Sequence, residues 1–70
     1  MRQVVASMAG TVWKVLVKPG DRLAPGQDVV ILESMKMEIP VAADGGGVVQ
    51  DVKVREGDFV NDGDVLVELE

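Results

Sequence analysis

The sequence contains no cysteine and no histidine, and its only aromatic residues are Trp13 and Phe59. Small domains often gain stability from a disulfide or a structural metal, and without these two residue types neither route is open. Catalysis by a cysteine or a histidine is excluded for the same reason. The chain must therefore depend on a compact apolar core, which agrees with its 47% hydrophobic content.

Long apolar runs and an excess of positive charge are also missing. No stretch approaches the roughly 18 apolar residues of a membrane span, and the N-terminus lacks the apolar run of a signal peptide. The net charge is −5, whereas nucleic-acid binding requires a basic surface, usually with aromatic residues for stacking. We therefore expect a soluble, cytoplasmic, monomeric protein that binds neither membranes nor nucleic acid.

The second half of the chain repeats the first. With an offset of 37 residues, 4–33 aligns without gaps to 41–70, and twelve of the thirty positions are identical. In the first half these are Val4, Ala6, Gly10, Val12, Val15, Val17, Gly20, Asp21, Gly26, Val30, Leu32 and Glu33. Seventy residues suffice for one domain, so we expect a single domain, 1–70, whose halves are related by a pseudo-twofold axis.

Each half reads as four short strands. Apolar residues do not recur at helical spacing, and glycine or proline interrupts the chain every six to ten residues, as in a small sandwich or barrel. Pro19-Gly20 and Pro25-Gly26, with Gly57 and Gly63 at the equivalent positions, predict turns in which the glycine has a positive φ. The sequence therefore predicts an all-β fold of about eight strands.

The alternation of side chains predicts which residues face the core. In the strand predicted at 48–54, Val48 and Val52 are expected inside and Val49 outside. Trp13 is expected at the rim of the core. Four consecutive apolar residues at 29–32 predict a strand that is buried on both faces.

The segment Glu33-Ser34-Met35-Lys36-Met37-Glu38 lies between the two repeats, and 34–40 has no counterpart in the first half. A lysine at a hairpin tip is ordinarily a solvated charge, but Lys36 lies between two flexible, apolar methionines. The segment also lacks the Asn-Gly or Asp-Gly that two-residue hairpins favour. A turn here would force a non-glycine residue into positive φ, a strain that clusters at functional sites. Lys36 is therefore the candidate functional residue.

Two other segments are weaker candidates. The acidic segment 58–64 has the spacing that begins a calcium loop, but it lacks the later bidentate glutamate and is predicted to be a solvated turn. No helix is expected after Gly45-Gly46-Gly47, so this segment is not a phosphate-binding loop. We therefore predict no metal site and no catalytic residue.

The segment 33–38 resembles the attachment motif of the biotinyl/lipoyl-attachment domain family, in which the lysine between two methionines is biotinylated. Segments 6–12, 17–21, 43–49 and 56–60 are also similar to such domains, and the short free-standing attachment proteins are the most similar. The resemblance implies a flattened barrel-sandwich hybrid of two four-stranded sheets, with Lys36 on the turn between the fourth and fifth strands. Ser34 departs from the family, where most biotinyl domains have alanine, and the protruding thumb of some carriers is absent.

The function that this resemblance implies is that of a biotin carboxyl carrier, not of an enzyme. A biotin protein ligase would attach biotin to Lys36, with Met35 and Met37 as flanking recognition residues and Glu33 and Ser34 completing the motif. The biotin arm would carry CO2 from a biotin carboxylase to a carboxyltransferase. Carboxylases of acetyl-CoA, propionyl-CoA, pyruvate and urea would all use similar carriers.

Two alternatives stay open at this point. The family scaffold also serves lipoyl carriers, so lipoate could replace biotin or share the lysine, although lipoyl domains usually have Asp-Lys-Ala at the tip. The chain could also be an unmodified barrel-sandwich module that is used only for contacts with other proteins.

Overall fold

The computed structural model describes residues 2–70 and contains eight strands. They are β1 (Arg2–Val5), β2 (Gly10–Val15), β3 (Arg22–Leu23), β4 (Asp28–Ser34), β5 (Met37–Ala42), β6 (Gly47–Val52), β7 (Phe59–Val60) and β8 (Val65–Leu69). Within residues 2–70 there is no helix, and therefore none that is long and apolar enough to cross a membrane.

The strands form two four-stranded antiparallel sheets. The terminal sheet, in which Arg2 pairs with Leu69, has the order β1-β8-β6-β3, and the tip sheet has the order β5-β4-β2-β7. The 37-residue offset relates β1 to β5, β8 to β4, β6 to β2 and β3 to β7, so each sheet takes two strands from each half. The predicted all-β fold of two four-stranded sheets with pseudo-twofold symmetry is confirmed. At the free edge of the tip sheet, β5 carries Pro40 opposite Ile31.

The core lies between the two sheets and repeats the symmetry of the chain. Seven equivalent pairs and Val17 are buried; the pairs are Val4 and Val41, Ala6 and Ala43, Val12 and Val49, Leu23 and Val60, Val29 and Leu66, Val30 and Val67, and Leu32 and Leu69. No polar or charged side chain of the described residues is buried. Each buried valine or leucine contributes about 1.5–3 kcal/mol of hydrophobic free energy. Because every pair takes one residue from each half, both halves are needed to form the core.

A bulge interrupts the side-chain alternation at the same place in each half. Val12 and Lys14 pair with consecutive residues of β4, which leaves Trp13 as the extra residue, and Gln50 is extra in the same way between β6 and β8. An extra residue shifts which side chains face inward. As a result Val49 is buried, and the prediction that it faces outward is wrong. Trp13 is 41% exposed, lies beside Lys14 on the outer face and does not pack against the core, so the prediction that it lies at the rim of the core is wrong.

A second pair of bulges explains the apolar run at 29–32. Asp28 pairs with Ala42 and Val30 with Val41, so Val29 is the extra residue in β4. Val29 and Val30 are both fully buried, whereas Ile31 lies on the outer face and is half-buried. The prediction of a strand buried on both faces is therefore wrong, because the run reflects a bulge. Leu66 is the equivalent extra residue in β8.

Four glycine turns join the two halves. Gly20, Gly26, Gly57 and Gly63 have φ of 95°, 81°, 96° and 91°, as predicted. Each glycine N–H donates a hydrogen bond of 2.8 Å to a carbonyl of the other half: Gly20 to Val49, Gly57 to Val12, Gly26 to Ala43, and Gly63 to Ala6. Every turn of one half is therefore fixed by the strands of the other.

The turn between β4 and β5 contains no glycine. Ser34 pairs with Met37, so Met35 and Lys36 form a two-residue turn with φ of 53° and 66°. Positive φ at both central residues is the requirement of a type I′ turn. The predicted positive φ at a non-glycine residue is confirmed at both positions, and such a residue is expected to cost about 1–3 kcal/mol.

Replacing Gly57 with alanine should lower the free energy of unfolding by about 1–2 kcal/mol, because an L-residue is disfavoured at positive φ. A Cβ at Gly57 would meet nothing within 4 Å, so the cost is conformational. Gly20→Ala should cost a similar amount. Urea unfolding measures both, with Glu56→Ala in the same turn as the control. Equal stabilities of Gly57→Ala and Glu56→Ala would contradict this explanation.

Replacing Met35-Lys36 with Asn-Gly should raise the free energy of unfolding, by about 1–3 kcal/mol, because this dipeptide suits a type I′ turn. Lys36→Arg is the matched control, since it keeps a non-glycine residue at the same φ and should leave stability unchanged. The same urea titration compares the two. A double variant no more stable than the wild type would show that the tip stores no strain.

Candidate functional site

Lys36 lies at the tip with its side chain in solvent. Its two neighbours, Met35 and Met37, are also exposed, at 92% and 62%. Neither of the two ion pairs found among residues 2–70 involves Lys36. The structure therefore presents a primary amine between two flexible apolar side chains that are open to a second protein.

Two carboxylates lie at the base of the tip. Glu33 and Glu38 are directly opposite each other in the β4–β5 ladder, and both are exposed. Like charges at directly opposed positions of a sheet destabilise it. The base of the tip therefore carries local negative charge that sheet stability does not require.

Gly10 allows β2 to pack closely beneath the tip. A Cβ on this residue would lie 2.9 Å from the carbonyl oxygen of Glu33 and 3.6 Å from the Cβ of Ser34. Ser34 is half-buried here, and Gly10 itself is buried. A side chain at position 10 would push β4 outward, so glycine fixes the base from which Lys36 projects. In the sequence Gly10 is marked only as an identity between the two halves, which gives no signal of this role.

The five predicted residues, 33–37, are brought together at one end of one hairpin. A cleft of about 500 Å³ lies elsewhere, between the edge strands β1 and β5. It is lined by 3–7, 40–42, Asp44 and Asp62, and none of the five residues borders it. An amine on a fixed base outside this cleft is suited to carrying a covalently attached group into the site of another protein, and poorly suited to enclosing a substrate of its own.

The titratable groups with shifted pKa values lie on the terminal sheet. Lys53 Nζ is 3.0 Å from Asp51 and 3.6 Å from Glu68. The hydrogen bond from Lys53 and its positive charge lower the pKa of Asp51. The hydrogen bond to Asp51, together with the negative charges of Asp51 and Glu68, raises the pKa of Lys53. These exposed groups form a solvated ion-pair cluster on the sheet that does not carry Lys36.

Comparison with known proteins places the chain among attachment domains. The family model described as "Biotin-requiring enzyme" matches residues 2–69. The biotin/lipoyl attachment protein of Bacillus subtilis is 64% identical over 66 residues, which cover 94% of this chain and 90% of that protein. The human mitochondrial propionyl-CoA carboxylase alpha chain is 48% identical over 63 residues, covering 90% of this chain but only 9% of that protein.

Two solved structures share the fold. The Kluyveromyces lactis urea carboxylase matches with a TM-score of 0.91 and 30% identity, over 99% of this chain and 6% of that chain. The lipoyl domain of the 2-oxoglutarate dehydrogenase complex from Azotobacter vinelandii matches with a TM-score of 0.74 and 27% identity, over 96% and 95% of the two chains. The symmetric barrel, the lysine hairpin and these matches agree, and the chain belongs to the biotin/lipoyl attachment family.

Proposed function

We propose that this protein is a biotin carboxyl carrier in which Lys36 Nζ holds biotin through an amide bond. The observation that carries the proposal is the exposed lysine of a strained two-residue turn, placed between two exposed methionines. The family model and the carboxylases among the relatives support biotin as the attached group.

Attachment requires the Lys36 amine to act as a nucleophile. A protonated amine has no free electron pair, so a biotin protein ligase must remove a proton before Nζ can bond to the biotin carboxyl carbon. ATP would first convert the biotin carboxylate to an acyl adenylate with release of pyrophosphate, and AMP would leave as the amide C–N bond forms, so that the product amide carries no charge. Because Lys36 forms no ion pair among the described residues, the ligase breaks no such pair to reach it.

The chain's own residues supply position and reach. Biotin, once bound, supplies a ring nitrogen that carries the carboxyl group. The close packing of Gly10 against Glu33 and Ser34 holds the hairpin, while Met35 and Met37 offer an adaptable apolar surface to the partner sites. The partners in this proposal are a biotin carboxylase and a carboxyltransferase, which the arm visits in turn. We further propose that the carrier is a cytoplasmic monomer with no catalytic group of its own.

The test is the intact mass of the protein from cells that co-express a biotin protein ligase and receive biotin. The wild type should gain a single biotinyl increment that maps to Lys36, because the other lysines lie outside the hairpin tip. Lys36→Arg should show none, and Lys18→Arg, which changes an exposed lysine in a glycine turn, should label normally. Labelling of Lys36→Arg, or a wild type without biotin, would overturn the proposal.

A lipoyl carrier is the second candidate, favoured by the dual name of the Bacillus subtilis relative and by the match to a lipoyl domain. A lipoyl increment on Lys36 with a lipoate ligase, in place of the biotinyl increment, would support it. Both increments in separate preparations would indicate a dual carrier. A bare Lys36 with either ligase would instead support an unmodified interaction module.

A further inference from the structure

The outer faces of the two sheets are equivalent in backbone but different in chemistry. The repeat pairs each outward residue of the tip sheet with one residue of the terminal sheet, which makes the terminal sheet an internal reference. At four such positions the tip sheet has an apolar side chain and the terminal sheet a polar one: Trp13 and Gln50, Leu16 and Lys53, Ile31 and Glu68, Phe59 and Arg22. The scaffold itself therefore does not require apolar residues at these positions.

The four apolar residues Trp13, Leu16, Ile31 and Phe59 form what we call the apolar face. Trp13, Leu16 and Phe59 are 41%, 48% and 66% exposed, and Ile31 is half-buried. The bulge places Trp13 beside Lys14, which pairs with Ile31. Lys14 Nζ lies 5.5 Å from the centroid of the Trp13 ring, so both side chains occupy the same outer face.

The corresponding surface of the terminal sheet is polar and solvated. There Lys53 bridges Asp51 and Glu68, at the positions of Leu16, Lys14 and Ile31 in the tip sheet. Among the described residues, Val5 is the one exposed large apolar residue in the strands of the terminal sheet, and it lies beside the half-buried Val65 in the β1–β8 ladder. Apart from Val5, the large exposed apolar side chains of the described residues lie in or beside the tip sheet or at the hairpin tip, and a concentration of exposed apolar surface marks interaction sites.

The apolar face is continuous with the Lys36 hairpin. Ile31 lies three residues before Ser34 in β4, about 10 Å along the strand. Thr11 pairs with both Glu33 and Phe59, so Phe59 lies in the same row of the sheet as the two carboxylates at the base of the tip. A protein that encloses the tip would therefore also cover this row.

We propose that the apolar face is the docking surface for the biotin protein ligase. This inference rests on the proposed function. A ligase must bring its active site to Nζ of Lys36 itself, and a specific interface covers about 800 Å² on each partner, so its contact must extend from the tip onto the sheet. Carboxylase sites act at the far end of the biotin arm and have no such requirement.

The charges on the face define the partner surface. The complementary surface of the ligase has an apolar recess for Trp13 and Ile31. It also has a carboxylate that faces Lys14 and a cationic group that faces Glu33 and Glu38. Aromatic anchors in such recesses often dominate the free energy of binding. The opposite signs of charge along β2 and β4 fix the orientation in which the ligase meets the tip.

The test uses steady-state biotinylation of the unmodified protein by a purified biotin protein ligase with ATP and biotin. The variant Trp13→Gln/Ile31→Glu gives the tip sheet the residues found at the equivalent positions of the terminal sheet. Its KM for the carrier should rise about tenfold or more, the effect of losing about 1.4 kcal/mol of binding. The kcat should stay close to that of the wild type, because the tip is unchanged.

Matched variants separate docking from folding. Asp51→Asn/Glu68→Gln changes the equivalent face of the terminal sheet and should leave KM unchanged. Leu16→Lys alters a 48% exposed residue alone and should raise KM with little effect on urea unfolding. Trp13→Phe keeps an aromatic anchor and should retain most of the affinity.

Unchanged KM values in folded Trp13→Gln/Ile31→Glu and Leu16→Lys proteins would overturn the inference. A dimer of the wild type that the double variant loses in sedimentation, with unchanged ligase kinetics, would assign the face to a second copy and also overturn it. Failure of the proposed function is distinguishable, because the wild type would then not be biotinylated at any ligase concentration.

Discussion

The fold depends on hydrogen bonds that each half of the chain makes to the other. The N–H groups of Gly20 and Gly57 are bonded to carbonyls of Val49 and Val12, and Gly26 and Gly63 repeat the arrangement with Ala43 and Ala6. Each turn also has local hydrogen bonds, such as that from Asp21 N–H to the Lys18 carbonyl, but the N–H of its glycine is bonded to the other half, and the core pairs are shared in the same way. A half without its partner would lack these hydrogen bonds and one member of each core pair, so unfolding should be cooperative despite the small size of the domain.

This arrangement separates the source of stability from the site. The buried side chains and the glycine turns hold the sheets together, while the hairpin from Met35 to Lys36 contributes an unfavourable backbone conformation and two opposed carboxylates at its base. A small protein can tolerate such local costs because the two sheets supply the compensating burial. Glycine at position 36 would make the turn more stable but would remove the exposed amine of Lys36.

The sequence was sufficient for the strands, the glycine turns and the hairpin because each has a local physical signature. Internal identity located the equivalent turns, and the missing Asn-Gly marked the strained tip. The bulges could not be foreseen, since Trp13 and Gln50 are equivalent in backbone but share no chemistry, and strict alternation therefore misplaced Val49. The apolar face is also not visible in the positions that are identical in the two halves. The positions at which the halves differ, rather than those at which they agree, distinguish the two outer surfaces.

The edge of the tip sheet has a consequence for self-association. β5 is an edge strand, and free strand edges recruit further strands into intermolecular sheets. Pro40 lies within β5, and a proline at a sheet edge is accommodated with its nitrogen turned away from the ladder, where it offers no donor. An incoming chain therefore cannot complete a continuous ladder along this edge. A protein that must keep methionines and aromatic side chains in water is in this way protected from forming fibres through the β5 edge of the sheet that bears them.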